Sequence, residues 1–123
     1  YVGVAAVADF AAEAIAAPLQ EGEERTLTLK QNPDILHTVA THPLRPRAVI
    51  GFAAETEHLL AHATQKLLRK NADAICANIA AEAMGGEHTR ITWVTREGVE
   101  PWGAMLKEQA AAAIAGKLAR MLI

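Results

Sequence analysis

Residues 48–56 read A-V-I-G-F-A-A-E-T. The run from Ala48 to Phe52 is apolar and partly β-branched, the composition of an interior strand buried on both faces. After it the chain enters T-E-H-L-L-A-H-A-T-Q-K-L-L-R-K, where Leu59, Leu60, Ala63 and Leu67 recur at helical spacing, so a helix is expected over residues 56–71. D-A-I-C-A at 73–77 is the next short strand. Strand, amphipathic helix and strand in sequence make a parallel unit. Ligands of open α/β sheets bind in the crevice beyond the carboxyl ends of the strands. Phe52, read here as the end of its strand, therefore raises the question of a ligand.

The flanking segments extend the alternation. Residues 1–8, Y-V-G-V-A-A-V-A, read as a buried strand with Asp9 at its carboxyl end. Residues 11–17 are alanine-rich and suggest a short helix ended by Pro18, and Q-E-G-E-E is a polar loop. R-T-L-T-L-K at 25–30 alternates like a half-exposed strand, and Asn32-Pro33 reads as a cap with proline at the first helical position, the helix running through I-L-H-T-V-A. T-R-I-T-W-V-T and V-E-P-W flank R-E-G as a hairpin, and a last helix starts near Lys107. The expected fold is α/β: a three-layer, Rossmann-like, mainly parallel sheet with a late β-hairpin, residues 1–123 forming one domain.

With 123 residues, 51% of them hydrophobic, the chain can bury one core. A formal charge of -2 supplies no electrostatic footprint for nucleic acid, and no apolar run approaches the roughly 20 residues that span a bilayer. Neither nucleic acid nor a membrane is expected as a partner. One cysteine, Cys76, excludes an internal disulfide and suits a reducing cytoplasm. Residues 1–8 have no basic flank, so they are expected to be a core strand of a fragment rather than a signal peptide.

Several residues could carry chemistry, each with a plainer account. Pro33-Asp34-Ile35-Leu36 opens a helix, where free N–H groups favour an anion, yet capping preferences alone explain N-P-D. Lys66 and Lys70 share a helical face and could grip one polyanion, although paired lysines are common on solvated faces. Phe52 could stack on a base or fill the core. His58 and His62 stand four apart, but no H-E-x-x-H surrounds them, and no metal site is assigned. Cys76 reads as a small core residue. There is no Ser-His-Asp signature, P-loop or complete G-x-G-x-x-G, which counts against a generic dinucleotide-binding domain.

Taken together, A-A-V-A-D at 5–9, N-P-D-I-L at 32–36, R-P-x-x-V-I-G-F-A-A-E-T at 45–56, K-L-L-R-K-N-A-D-A-I-C-A-N at 66–78 and I-T-W-V-T-R-E-G at 91–98 resemble phosphopantothenoylcysteine synthetase almost end to end. In bacteria this is usually the carboxyl-terminal half of a bifunctional coenzyme A biosynthesis protein. The resemblance implies a cytoplasmic ligase that joins phosphopantothenate to cysteine. CTP activates the carboxylate as an acyl-cytidylate, pyrophosphate leaves with help from magnesium, and the cysteine amine attacks. It also implies a homodimer with T-R-I-T-W-V-T near the partner and Trp93 a candidate anchor. Fusion to, or association with, a flavin-dependent decarboxylase is implied as well, with FMN relevant only to that half. Carried over residue by residue, Gly3, Val4, Ala5, Asp9, Pro33, Asp34, Ile35, Leu36, Phe52, Lys66 and Lys70 match positions that contact the cytidine nucleotide.

The match is uneven. The family's Asn-containing, Ser-Ser-Gly-bearing loop belongs to an amino-terminal region absent from these 123 residues. The lysine-rich segment expected between Asp9 and N-P-D-I is missing, and Asn78 is followed by Ile79-Ala80 where Asp-Val is usual. No catalytic residue is therefore assigned, and the chain is expected to be a truncated synthetase domain. The alternative is a non-catalytic nucleotide-binding remnant of the same family.

Overall fold

The computed structural model describes residues 1–4, 10–12, 22, 28–55, 59–79 and 87–123, which cluster into two compact units. The larger unit comprises Tyr1–Val4 and Ile35–Ile123. Its elements are β1 (Val2–Gly3), α1 (Ile35–Thr41), β4 (Ile50–Glu55), α2 (Leu59–Lys70), β5 (Ala74–Ile79), β6 (His88–Thr95), β7 (Gly98–Leu106) and α3 (Lys107–Met121), numbered with the smaller unit's two strands included. The smaller unit, Ala5–Asp34, holds β2 (Phe10–Ala12) paired antiparallel with β3 (Leu29–Gln31).

The sheet of the larger unit runs β1-β4-β5-β6-β7. The β1–β4 and β4–β5 pairs are parallel, joined in the second case through α2, and β5–β6 and β6–β7 are antiparallel. Both faces are covered, as a sheet with parallel strands requires. On one face Ala63 and Leu67 of α2 meet Val49, Ala53, Ile75, Ala77 and Val94, with Leu36 and Val39 of α1 packed alongside. On the other, Ala110 and Ile114 of α3 meet Ile50, Cys76, Ile91 and Trp93. The three-layer α/β architecture with a late hairpin is thus the one expected.

Several boundaries differ from expectation. β4 does not stop at Phe52 but continues to Glu55, because Ala53 and Ala54 stay in register with Ala77 and Asn78 of β5. Phe52 is consequently a mid-strand residue. Ala11 and Ala12, expected to begin a helix, belong instead to the strand Phe10–Ala12 because it finds a partner in Leu29–Gln31, and pairing overrides the weak preference of so short an alanine run. α1 starts at Ile35, so Pro33 is not its first residue. Residues 5–9 of the expected first strand, 13–17 of the expected short helix, 25–27 of the expected 25–30 strand and 56–58 at the start of the expected long helix lie outside the described residues.

α2 ends at Asn71, whose φ of 59° is the left-handed conformation that terminates helices, and the Ala72 N–H returns to the Leu67 carbonyl at 3.1 Å. α3 begins where the Leu106 N–H donates to Gln109 Oε1 at 3.0 Å, a third-position side chain reaching back to the cap. β7 tolerates Pro101 because it is an edge strand. The two-residue Arg96-Glu97 turn closes on the Thr95–Gly98 pair, so Pro101, opposite Thr92, falls at a position whose nitrogen faces away from β6. A bulge between Arg90 and Thr92 follows, with Gly103 at φ 74° on the opposing strand.

Candidate functional site

Among the described residues the β1–β4 register covers Val2↔Ile50 and Gly3↔Gly51, and β4 itself runs on to Glu55. The Ile50 N–H donates to the Tyr1 carbonyl at 2.9 Å, so Ile50, and by strand alternation Phe52, presents its backbone groups toward β1. At Phe52 that position is taken by a side chain: Lys66 Nζ of α2 donates to the Phe52 carbonyl at 2.8 Å. An ammonium group thus stands where the described β1–β4 pairing ends, toward the strand-end crevice in which α/β folds receive ligands.

Other carried-over residues lie on the elements that meet here or continue from them. Gly3 pairs with Gly51, and Val4, the residue after β1, is 64% exposed. Leu36 of α1 presses on Gly51 from one face: a Cβ there would lie 2.6 Å from Leu36 Cδ2 and 3.0 Å from Ile75 Cδ1, so glycine is what lets α1 approach β4. The Phe52 side chain, half-buried, faces the α3 side. Lys70, one turn after Lys66, is also half-buried and is not without interactions of its own. Ile35 is 46% exposed. Ala5 and Asp9 lie outside the described residues, and Pro33 and Asp34 end the smaller unit.

Sequence reasoning missed two features. Val2, Val4, Phe52 and Ile91 on the sheet, with Ala111 and Ile114 on α3, line a cavity of about 540 Å³. The run of small side chains in A-A-A-A-I-A at 110–115 was its signal. At the opposite ends of the strands Asp73 organises a clasp. Its Oδ2 accepts the Val49 N–H at 2.8 Å and Arg45 Nη2 at 3.0 Å, while Arg45 Nε also donates to the Ala40 carbonyl at 2.8 Å. Asn71 adds a bond from Nδ2 to the same Ala40 carbonyl and accepts Arg96 Nη2 at 3.0 Å. R-P-R before a strand and D before the next were its only sequence trace.

Burial in β5 pushes the Cys76 thiol up to about 12, so it stays protonated and unreactive. Bonds from Lys117 and Trp102 hold the Glu100 carboxyl below the usual carboxylate range. Among the described residues no three metal-binding side chains gather. Trp93, expected as an interface anchor, is 4% exposed within this chain and stacks on Trp102 at 5.5 Å between ring centroids. Its surface is already committed to the chain's own core.

The model of one protein family, the DNA/pantothenate metabolism flavoprotein C-terminal domain, matches residues 1–122. The chain belongs to this family. Coenzyme A biosynthesis bifunctional protein CoaBC of Escherichia coli K12 is 41% identical over 91 residues, 70% of this chain but 22% of that protein. The CoaBC of Vibrio cholerae is 31% identical over 121 residues, again only 30% of its length. The chain therefore spans less than a third of these CoaBC relatives and corresponds to their synthetase half. Among solved structures, the C-terminal domain of a CoaBC superposes with a TM-score of 0.72 at 29% identity, covering 98% of this chain and 55% of that one. A Cab2 mutant in complex with phosphopantothenate-cysteine shares the fold, with a TM-score of 0.61 over 85% of this chain and 37% of the other.

Proposed function

We propose that residues 1–123 form a partial phosphopantothenoylcysteine synthetase domain of coenzyme A biosynthesis, joining phosphopantothenate to cysteine through an acyl-cytidylate made from CTP. The observation that carries this reading is the Lys66 ammonium, 2.8 Å from the Phe52 carbonyl where the described β1–β4 pairing ends. A carboxylate becomes a useful electrophile only when its oxygen is built into a good leaving group, so the site must hold two anions together against their repulsion. A lysine already held at the crevice supplies cationic charge there with little reorganisation when a triphosphate arrives. Lys70 extends that charge by one helical turn. Phe52 and Val4 give the nucleoside an apolar wall, and Gly3, Ile35 and Leu36 shape the floor. Ala5, Asp9, Pro33 and Asp34 are assigned to the same nucleotide by resemblance alone.

Magnesium enters with the phosphates, which need few protein carboxylates to hold it. FMN concerns the decarboxylase half only, where the two are fused. The protein acts as a cytoplasmic homodimer. The interval between Asp9 and Asn32 lacks the lysine-rich segment that the family resemblance implies, which gives a second reading, a remnant that binds CTP without ligating.

Calorimetric titration of CTP tests both. Lys66→Ala and Lys70→Ala should each weaken binding by about 1–3 kcal/mol, the range of charge-assisted hydrogen bonds. Lys117→Ala, which removes only the ion pair with Glu100, should leave affinity alone. Wild-type affinity in both crevice variants would remove the clamp, and no CTP binding by the unmodified chain would remove the nucleotide reading. CTP binding without ligated product in a coupled assay selects the remnant.

A further inference from the structure

Beside the Asp73 clasp, where β4 and β5 begin and β6 ends, a cavity of about 360 Å³ is lined by Arg47, Asp73, Thr95, Arg96, Glu97 and Met121. It shares no lining residue with the cavity under α3. Two of its cations are set in place without being neutralised. Arg47 Nη2 donates to the Leu122 carbonyl at 2.7 Å, and Arg96 Nη2 donates to Asn71 Oδ1 at 3.0 Å. Both acceptors are neutral, and each bond uses one of the five N–H donors of a guanidinium. Asp73 does not answer them, because its Oδ2 already serves Arg45 and the Val49 N–H. Glu97 borders the same space, yet among the described residues it forms no ion pair with either arginine. A single unpaired surface charge is ordinary. Here two tethered forks and one carboxylate border one cavity and stop short of each other, which leaves room for a molecule that carries both opposite charges.

We propose that this cavity binds a small α-amino acid, its carboxylate received by Arg47 and Arg96 and its ammonium group by Glu97. A guanidinium fork matches a carboxylate with two parallel bonds, and forks already tethered lose less freedom on binding. The volume lies near the lower end for small-molecule sites, in scale with an amino acid, and Thr95 and Met121 offer its side chain one polar and one apolar neighbour. A plain anion would meet the repulsion of Glu97. A plain amine would meet that of two guanidiniums. The site lies at the opposite ends of the strands from the Lys66 crevice and needs no nucleotide there, so it stands apart from the nucleotide reading.

NMR titration of the isotope-labelled chain at neutral pH tests this, with L-alanine as the probe and propionate and ethylamine as its two halves. Alanine should shift the amides of Thr95 to Glu97 and of Met121 saturably, with a Kd of about 1 mM or tighter, within reach of so small a ligand. Arg47→Gln and Arg96→Gln should each weaken alanine by about tenfold or more, as loss of a charge-assisted bond does. Glu97→Gln should weaken alanine by a similar factor without weakening propionate. Arg120→Gln, outside the lining, should change nothing. All four side chains are exposed, so each variant should melt as the parent does. Shifts no larger than those from an equal concentration of sodium chloride would overturn the proposal. Propionate or ethylamine binding as tightly as alanine would also overturn it, since the cavity would then answer one charge alone. Alanine binding that survives the loss of both arginines would do the same.

Discussion

Replacing Asp73 by alanine should destabilise the larger unit by about 2–3 kcal/mol, and the clasp at the amino ends of the strands shows why. Asp73 Oδ2 accepts two bonds, from the Val49 N–H at 2.8 Å and from Arg45 at 3.0 Å. Val49 is fully buried, so loss of the carboxylate strands an amide donor where water does not reach, a cost of about 1–3 kcal/mol. The ionic part is smaller. Both side chains of the pair remain roughly a third exposed, at 30% and 32%, and Arg45 keeps its bond to the Ala40 carbonyl, so screening limits that share to about 0.2–1 kcal/mol. For a chain of this size the sum lowers the thermal midpoint by roughly 6–12 °C. Asp73→Asn keeps an acceptor for Val49 and should lose only the ionic share. Urea denaturation of Asp73→Ala, Asp73→Asn and Arg45→Ala, with the double alanine variant closing the cycle, separates the two parts. A change below about 0.5 kcal/mol in Asp73→Ala would refute the reasoning, because a stranded buried donor cannot be that cheap. Equal losses in the alanine and asparagine variants would show that the charge, not the acceptor, holds the strands.

Gly51→Ala should cost about 1–3 kcal/mol by overpacking, since its Cβ would press on both Leu36 and Ile75; a melt unchanged from wild type would mean that α1 moves aside freely. The Cys76 thiol should resist a thiol reagent at pH 8 in the folded chain and react on unfolding, and rapid native labelling would contradict its burial. Glu100 should titrate below the ordinary carboxylate range in an NMR pH series and move up in Lys117→Ala. Because its folded pKa is depressed, whatever stability the group contributes is present above the unfolded carboxylate pKa and fades as pH falls through the folded one.

What could be read from sequence was whatever repeats at short range. The α2 stripe of Ala63 and Leu67, the D-A-I-C-A run and the hairpin around R-E-G each announce their element within a few residues, and each was found in place, with Gly98 already in β7. Phe10–Ala12 was not legible because its strand character comes from Leu29–Gln31, a partner nearly twenty positions away. The end of β4 was misjudged for a related reason: Phe52 looked like the last residue, but Ala53 and Ala54 continue the strand by pairing with Ala77 and Asn78, which only the packed chain reveals. At the site, Lys66 was visible as half of a helical pair. Its hold on the Phe52 carbonyl was not, since that contact forms only in the packed chain.

The proline in β7 has a consequence for how this protein behaves at high concentration. Pro101 removes one donor from the outward side of the strand, and the bend at Gly103 turns the remainder out of line, so a foreign strand could not dock along β7 for more than a few residues. Sheet growth by stacking copies edge to edge is thereby blocked at this end of the sheet. Among the described residues of the larger unit the other end of the sheet is β1, so ordered association of copies by strand pairing along this sheet is directed to that end.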